Sequence, residues 1–303
     1  MFDSPFHAGE QHWQDTTGQR EQVEAMGQRM IRDHMPEQHQ AFFPLLPSVV
    51  VGVLDEQGHP WASALCGPPG FALAPDAHTL RLGARLPEGD PALTGWRHGS
   101  QVGLLGIQHT TRRRNRLNGT LMVGKSGLSS VLVRQSFGNC PKYIQVRHCD
   151  FDPGWQATTS AIEPAWEAGV LTPQAEQVIR RSDTFFIASS SPDATSPAPR
   201  RSEGVDVSHR GGPPGFVEVE RGANGHSTLS WPDFRGNQMF NTLGNIHVQP
   251  HVGLLFMDVA SGGWLWVQGL AHVTTHPERR VHVRPTAAWW RPSGPLVWRP
   301  LEA

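Results

Sequence analysis

The chain repeats itself. GPPGF stands at Gly67 to Phe71 and again at Gly212 to Phe216, 145 residues later, and VGLL stands at Val102 to Leu105 and again at Val252 to Leu255, 150 residues later. Between them Thr79-Leu80 matches Thr228-Leu229 at an offset of 149, and Asn118-Gly119 matches Gln268-Gly269 at 150. Four matches in one order at nearly one offset predict a duplicated module, against the alternative of one large sandwich with coincidental repeats. Thirty-two Gly and 26 Pro against a single Tyr suggest short strands joined by turns. Each module is therefore expected to be mainly β, with about five short strands closing into a small barrel.

A length of 303 residues exceeds what one core usually fills, which agrees with two units. The expected organisation is an N-terminal extension with an amphipathic helix (1–39), a first module (40–150), a helical connector (151–182), a second module (183–275) and a Trp/Pro/Arg-rich tail (276–303). From Gln19 to His34 the residues Val23, Met26, Met30 and Ile31 recur at helical spacing and stop before Pro36. SVVVGVL (Ser48 to Leu54) reads as a strand, DEQGHP as a turn and Trp61 to Cys66 as the returning strand. Pro153 to Arg181 carries Trp166, Val170, Leu171, Ala175, Val178 and Ile179, enough for a packed helical connector. Ser189 to Glu203, rich in Ser, Pro and Ala, is expected to be a mobile hairpin loop.

Several function classes fall away. With 26 Lys+Arg against 27 Asp+Glu the chain is no basic nucleic-acid scaffold. Its apolar runs are strand-sized, far from the roughly 20 residues that cross a bilayer. The start MFDSPFHAGEQHW lacks the layout of a secretory signal, so a soluble, cytoplasmic protein with no membrane or nucleic-acid partner is expected. Cys66, Cys140 and Cys149 form no CxxC pair and are expected to be reduced thiols. The histidines flanking Glu10 and His148 beside Cys149 do not match a zinc spacing, so no metal is expected. No GxGxxG, P-loop, GxSxG or HExxH occurs in a suitable context.

Three segments could carry chemistry. LSWPDFRGNQMFNTLGNI (Leu229 to Ile246) reads as a strand, a turn and a short helix starting near Gly236-Asn237 and stopping at Gly244-Asn245. A helix N-terminus preceded by Arg235, with Asn237 and Asn241 as amide donors, would trap a phosphate; a capped surface helix is the competing reading. The matching place in the first module, Ala84 to Leu93, carries Glu88 and Asp90, so one anion site per chain is expected. In HTTRRRNRLNG (His109 to Gly119), strand alternation puts Arg112, Arg114, Arg116 and Asn118 on one face, needing either carboxylates or an anionic ligand. QSFGNCPKYIQ (Gln135 to Gln145) holds a Gly-Asn turn suited to the polar rim of a heteroaromatic ring. His209-Arg210-Gly211-Gly212, leading into the second GPPGF, would lie beside the phosphate strand.

Taken together, SPFHAGE, PWASALCGPPGF, TRRRNRLNG, QSFGNCPKYIQ, GVDVSHRGGPPGF and PDFRGNQMFNTLGN resemble the FMN-binding split-barrel family related to pyridoxamine 5′-phosphate oxidase, in its longer tandem branch. The resemblance spans nearly the whole chain. It implies two tandem split β-barrels with FMN at their junction, and an FMN-dependent oxidoreductase. It implies that the phosphate lies by Arg235, Gly236, Asn237 and Asn241, with Ser208, His209 and Arg210 along the flavin. The opposing barrel would supply Arg114, Arg116, Asn118, Ser136 and Asn139. Lys142 or a strand arginine would stabilise the reduced flavin.

A pyridoxal-phosphate pocket pattern is not evident, so vitamin B6 synthesis is not implied. Only a short tail follows the barrels, so a separate electron donor is expected beside a small-molecule substrate. A homodimer is permitted but not required. Two other readings are a non-catalytic flavin- or haem-binding split barrel, and docking of a partner on the Trp-rich tail.

Overall fold

A computed structural model of the chain describes residues 3–124, 128–157, 161–196 and 199–301. Its frame is two antiparallel sheets. The first comprises β1 (Ser48–Leu54), β2 (Pro60–Cys66), β3 (Ala72–Asp76), β4 (Thr79–Leu82), β5 (Gln101–Gln108), β6 (Arg113–Val123) and β7 (Ser129–Gly138), in the order β2-β1-β5-β6-β7-β4-β3. After β8 (Arg147–Phe151) and the two-residue strands β9 (Glu163–Pro164), β10 (Trp166–Glu167) and β11 (Val170–Leu171) comes the second. It comprises β12 (Thr184–Ser190), β13 (Val205–Gly211), β14 (Glu218–Arg221), β15 (Ser227–Pro232), β16 (His251–Met257), β17 (Trp264–Thr274) and β18 (Arg280–Arg291), in the order β13-β12-β16-β17-β18-β15-β14. Strand for strand the two orders coincide. A last strand, β19 (Leu296–Pro300), pairs with β8.

The repeated motifs have physical causes. In each GPPGF the second glycine has positive φ (+96° at Gly70, +85° at Gly215) after proline, the residue pattern of a type II turn. The first glycine lies under the phenylalanine: a Cβ would come within 2.8 Å of Phe71 at Gly67 and 2.6 Å of Phe216 at Gly212. The glycine of each VGLL faces the other sheet. A Cβ at Gly103 would stand 2.6 Å from the Val205 carbonyl oxygen, and one at Gly253 2.4 Å from that of Pro60. Asn118-Gly119 and Gln268-Gly269, matched in the sequence, each mark a bulge in the long strand that contains them. Strands β1, β5, β12 and β16 are buried almost throughout, because one face meets their own sheet's core and the other meets the opposite half. That accounts for their continuous apolar runs where a one-sided strand would alternate.

The helices differ more from expectation. The helix expected from Gln19 to His34 is α2 (Arg20–Met30), with Val23 and Ile31 buried. Ahead of it stands an unforeseen α1 (Ala8–Thr16), which owes its start to a capping box: the His7 ring accepts from the Gly9 amide, and Glu10 accepts from the amide of His7. A one-turn α3 (Glu37–Gln40) follows. Among the described residues the connector's one α-helix is α4 (Pro173–Arg181), capped by Thr172; Trp166, Val170 and Leu171 lie in short strands, and β9 joins β18. The short helix after Leu229 begins later than expected, as α5 (Asn241–Val248).

The second sheet runs past the expected boundary at 275. Its strand β18 reaches Arg291, so most of the expected tail is sheet. The first sheet has seven strands and the second eight, counting β9 against β18, where about five each were expected, the extra ones being short, such as the four-residue β14. Within the expected mobile loop, residues 197–198 lie outside the described ones; Arg201 beside them accepts from Gln135 Nε2 at 2.9 Å and donates to the Ile31 carbonyl at 2.8 Å. Among the described residues no helix is long and apolar enough to cross a membrane.

Candidate functional site

The edge strand β13 of the second sheet lies against β6 of the first, and the cleft between them is where most of the singled-out residues meet. Alternation on β6 sends Arg114, Arg116 and Asn118 across the seam. Arg116 Nη1 pairs with Asp206 at 3.0 Å and Nη2 donates to Ser208 Oγ; Asn118 Nδ2 donates to Asp206 at 2.8 Å; Arg114 Nη1 donates to His209 Nδ1 at 3.1 Å. Arg113, on the opposite face of β6, packs over Phe42. Asp206 also accepts from Asn245 of α5 at 2.9 Å, so one carboxylate ties both halves to that helix.

The remaining walls come from the second half. Residues 233–240 form a loop rather than the first turn of a helix, with positive φ at Gln238 (+63°) and Phe240 (+61°). Such backbone in non-glycine residues costs on the order of 1–3 kcal/mol each and gathers at functional sites. Helix α5 has no side-chain N-cap, and its first residues Asn241, Thr242 and Leu243 line the cleft, presenting amides that have no partner within the helix. Asp233 holds Arg210 at 3.4 Å and Arg279 at 2.8 Å, and Arg279 also lies over the Phe240 ring. Helix α1 fixes α5 from behind: Gly9 and Gly244 are in backbone contact, and Asn241 donates to Glu10.

Four guanidinium groups (Arg114, Arg116, Arg210, Arg279) thus line a cleft whose carboxylates are Asp206 and Asp233, an excess of positive charge. Burial, and then the charges of Arg116 and Arg210, lower Arg114 to about 10, so it remains a cation at neutral pH without a carboxylate of its own. Burial, then Arg114, holds His209 well below the ordinary histidine range. It is neutral, and because Nδ1 accepts from Arg114, Nε2 carries the proton. That Nε2 is buried without a partner, as are Arg114 Nε, Arg116 Nε, Arg210 Nε and Asn139 Nδ2. All five residues line the positively charged cleft, and unpartnered donors among them fit an anionic ligand with several acceptors.

The same place on the other side of the pseudo-symmetric seam is filled. Register puts Trp264, Trp266 and Gln268 where the first half has Arg114, Arg116 and Asn118. Ser63, Ala64 and Leu65 stand where the second half has Ser208, His209 and Arg210. Both tryptophans are fully buried, and Trp266 Nε1 donates to Ser63 at 3.4 Å. In place of α5 there is a 3₁₀ turn (Pro91–Gly95) whose free amide at Ala92 is capped by Asp90 at 2.9 Å. The expected carboxylate therefore occupies the position an anion would need. One open cleft and one plugged crevice follow from the two halves' differing residues.

Of the residues expected at the site, Ser208, His209, Arg210, Gly236, Asn237, Asn241, Arg114, Arg116 and Asn139 line the cleft. Three do not. Arg235 is exposed and borders a separate depression with Lys142, because the helix starts too late to bring it to the N-terminus. Ser136 is fully buried and bonded to His39 at 2.9 Å. Asn118 acts from behind, through Asp206. Sequence reasoning missed Arg279, Thr242 and Asp206. Alternation with Ser208 and Arg210 on GVDVSHRG could have found Asp206, whereas Arg279 reaches the cleft only through the β17–β18 pairing.

No family model matches this chain, and no curated protein does. Among solved structures it is similar to HupZ of Group A Streptococcus, at 10% identity over 34% of this chain and 93% of that one, with a TM-score of 0.28. It is also similar to pyridoxamine 5′-phosphate oxidase-like proteins of Lactobacillus delbrueckii (16% identity, 42% of this chain and 98% of that one, TM-score 0.30) and Corynebacterium glutamicum (12%, 44% and 95%, TM-score 0.28). At such TM-scores these likenesses carry no weight for function. The class the coordinates define is a mainly β protein of several antiparallel sheets.

Proposed function

We propose that this chain is a flavoprotein of two tandem split barrels, binding one FMN between its halves and acting as an FMN-dependent oxidoreductase on a small molecule. The single observation that carries the reading is the set of buried, partnerless donors on Arg114, Arg116, His209, Arg210 and Asn139 in a cleft of excess positive charge. Coinciding strand orders support the tandem barrels.

FMN offers what those donors lack: a phosphate, a polar ribityl chain and a ring with acceptors along one edge. The uncapped amides of α5, with Arg279 and Arg210, would hold the dianionic phosphate. Arg114, Arg116 and His209 Nε2 would donate to the ring's polar rim, and Ser208 and Asn139 to the ribityl hydroxyls. Asp206 fixes the Arg116 fork and Asp233 fixes Arg210 and Arg279, so these cations are held in place before any ligand arrives. When bound, FMN supplies the electron or hydride transfer, and the protein supplies binding, orientation and positive charge beside the ring.

The haem-binding alternative is weaker here. An axial histidine must offer a lone pair, and His209, with Nδ1 accepting from Arg114, carries its proton on Nε2 and has none free. A visible absorption spectrum of the purified chain tests the reading: flavin bands are expected, whereas a Soret band, or no chromophore and no uptake of added FMN, would refute it.

A further inference from the structure

The geometry points to a second binding site opening off this cleft, a side chamber that takes a small planar aromatic carboxylate. Its walls are Arg114 and Arg210, shared with the main cleft, together with Lys142, Tyr143, Phe216 and Phe234. Its lining has three cations and no carboxylate, since Asp233, the partner of Arg210, faces the main cleft instead. The Nε atoms of Arg114 and Arg210 are buried and unpartnered. Beside these charges stands an aromatic wall: Tyr143 stacks on Phe234 at 5.3 Å between ring centroids, and Phe216 lies 6.3 Å from Phe234.

The chamber is built by close contacts rather than left over by loose packing. The segment carrying Lys142 and Tyr143 belongs to the first half and is clamped onto the second at Gly211, where a Cβ would meet the Tyr143 carbonyl oxygen at 2.1 Å. Gln145 Nε2 adds a hydrogen bond to the Gly212 carbonyl at 3.3 Å, and Tyr143 itself has a positive φ of +65°. The chamber is open to solvent on one side, so a ring bound there stays partly exposed. Apolar ring faces on one side and converging cations on the other select an aromatic anion over an aromatic amine or a neutral amide. As the place where the substrate meets the flavin, this assignment rests on the FMN reading; as a binding site it does not.

Calorimetric titration of the full chain, FMN-loaded and flavin-free, with benzoate and its neutral isostere benzamide tests it. Benzoate is expected to bind both forms about tenfold or more tighter than benzamide, as loss of a charge-assisted contact of about 1.4 kcal/mol implies. The structure places Lys142 outside the main cleft and exposed, away from the flavin role expected of it, so Lys142→Met should reduce that preference and leave FMN uptake unchanged. Absence of benzoate binding, equal affinity for the two probes, indifference to Lys142→Met, or loss of benzoate binding on FMN loading would each overturn the assignment. Should the chain take up no FMN, the flavin reading fails by itself, and the benzoate preference of the flavin-free chain still decides the chamber.

Discussion

Gly103 and Gly253 occupy the same register position in the two sheets, opposite Asn118 and Gln268, and each is pressed against the edge strand of the other half. The halves meet backbone to side-chain-free backbone, twice, about a pseudo-twofold relation. This contact brings β6 to β13 and so makes the cleft.

A methyl group at either glycine has nowhere to go. Gly103→Ala and Gly253→Ala should each destabilise the chain by about 1–3 kcal/mol, the usual range for overpacking, read as a lower urea midpoint. Gly236→Ala, where no atom lies within 4 Å of the added carbon, should leave the midpoint unchanged.

The placement of Arg235 outside the cleft separates this account from one based on the sequence around it. Arg235→Ala should keep FMN affinity within about twofold, while Arg116→Met and Arg279→Met should each lower it by about tenfold or more, as expected for loss of a charge-assisted hydrogen bond. Fluorescence titration with FMN measures all three.

The plugged crevice should be as important for stability as the open one is for binding. Trp266→Ala removes a fully buried ring and should cost about 3–5 kcal/mol in urea denaturation, without changing the number of FMN bound per chain.

Stability should fall on mild acidification. His39 and His109 are held down to about 4, chiefly by burial and then by Arg113 and Arg147, against an ordinary value of 6.5. Below pH 6.5 the unfolded chain binds protons that the folded one refuses, so each histidine withdraws stability as pH drops toward 4. Asp90 opposes them: burial raises it to about 6 from 3.8, so the folded chain takes up its proton first and gains stability across that lower window. Glu10, raised chiefly by burial, opposes them as well, but the lowered histidines, which include His7 and His209, outnumber the two raised carboxyls. The urea midpoint should decrease from pH 7 to pH 5, and His109→Gln should flatten that slope.

Much of this was legible in the residues. The repeats located the turns and the close-contact glycines because those positions tolerate nothing larger, and alternation placed Arg114, Arg116 and Asn118 on one face of β6, whereas Arg112, expected with them, lies in the turn before the strand at φ +56°. Asp90 was recognised as an anion's competitor from its place in the repeat. What escaped depends on contacts distant in sequence or on local chemistry with no period. Helix α1 has a capping box and little apolar stripe, with Trp13 as its main apolar anchor. Strand β18 reads as a Pro- and Trp-rich tail until β17 pairs with it. The late start of α5 is set by the strained residues Gln238 and Phe240, which no helical spacing reveals.

The central claim is that the open cleft alone holds a planar guest through its phosphate. Titrating flavin-free protein with FMN and with riboflavin tests it most directly. The account predicts saturation at one FMN per chain, with riboflavin binding weaker by about tenfold or more and FMN affinity lowered by about tenfold or more in Arg116→Met. Two FMN per chain, equal affinity for riboflavin, or no binding of either would contradict it.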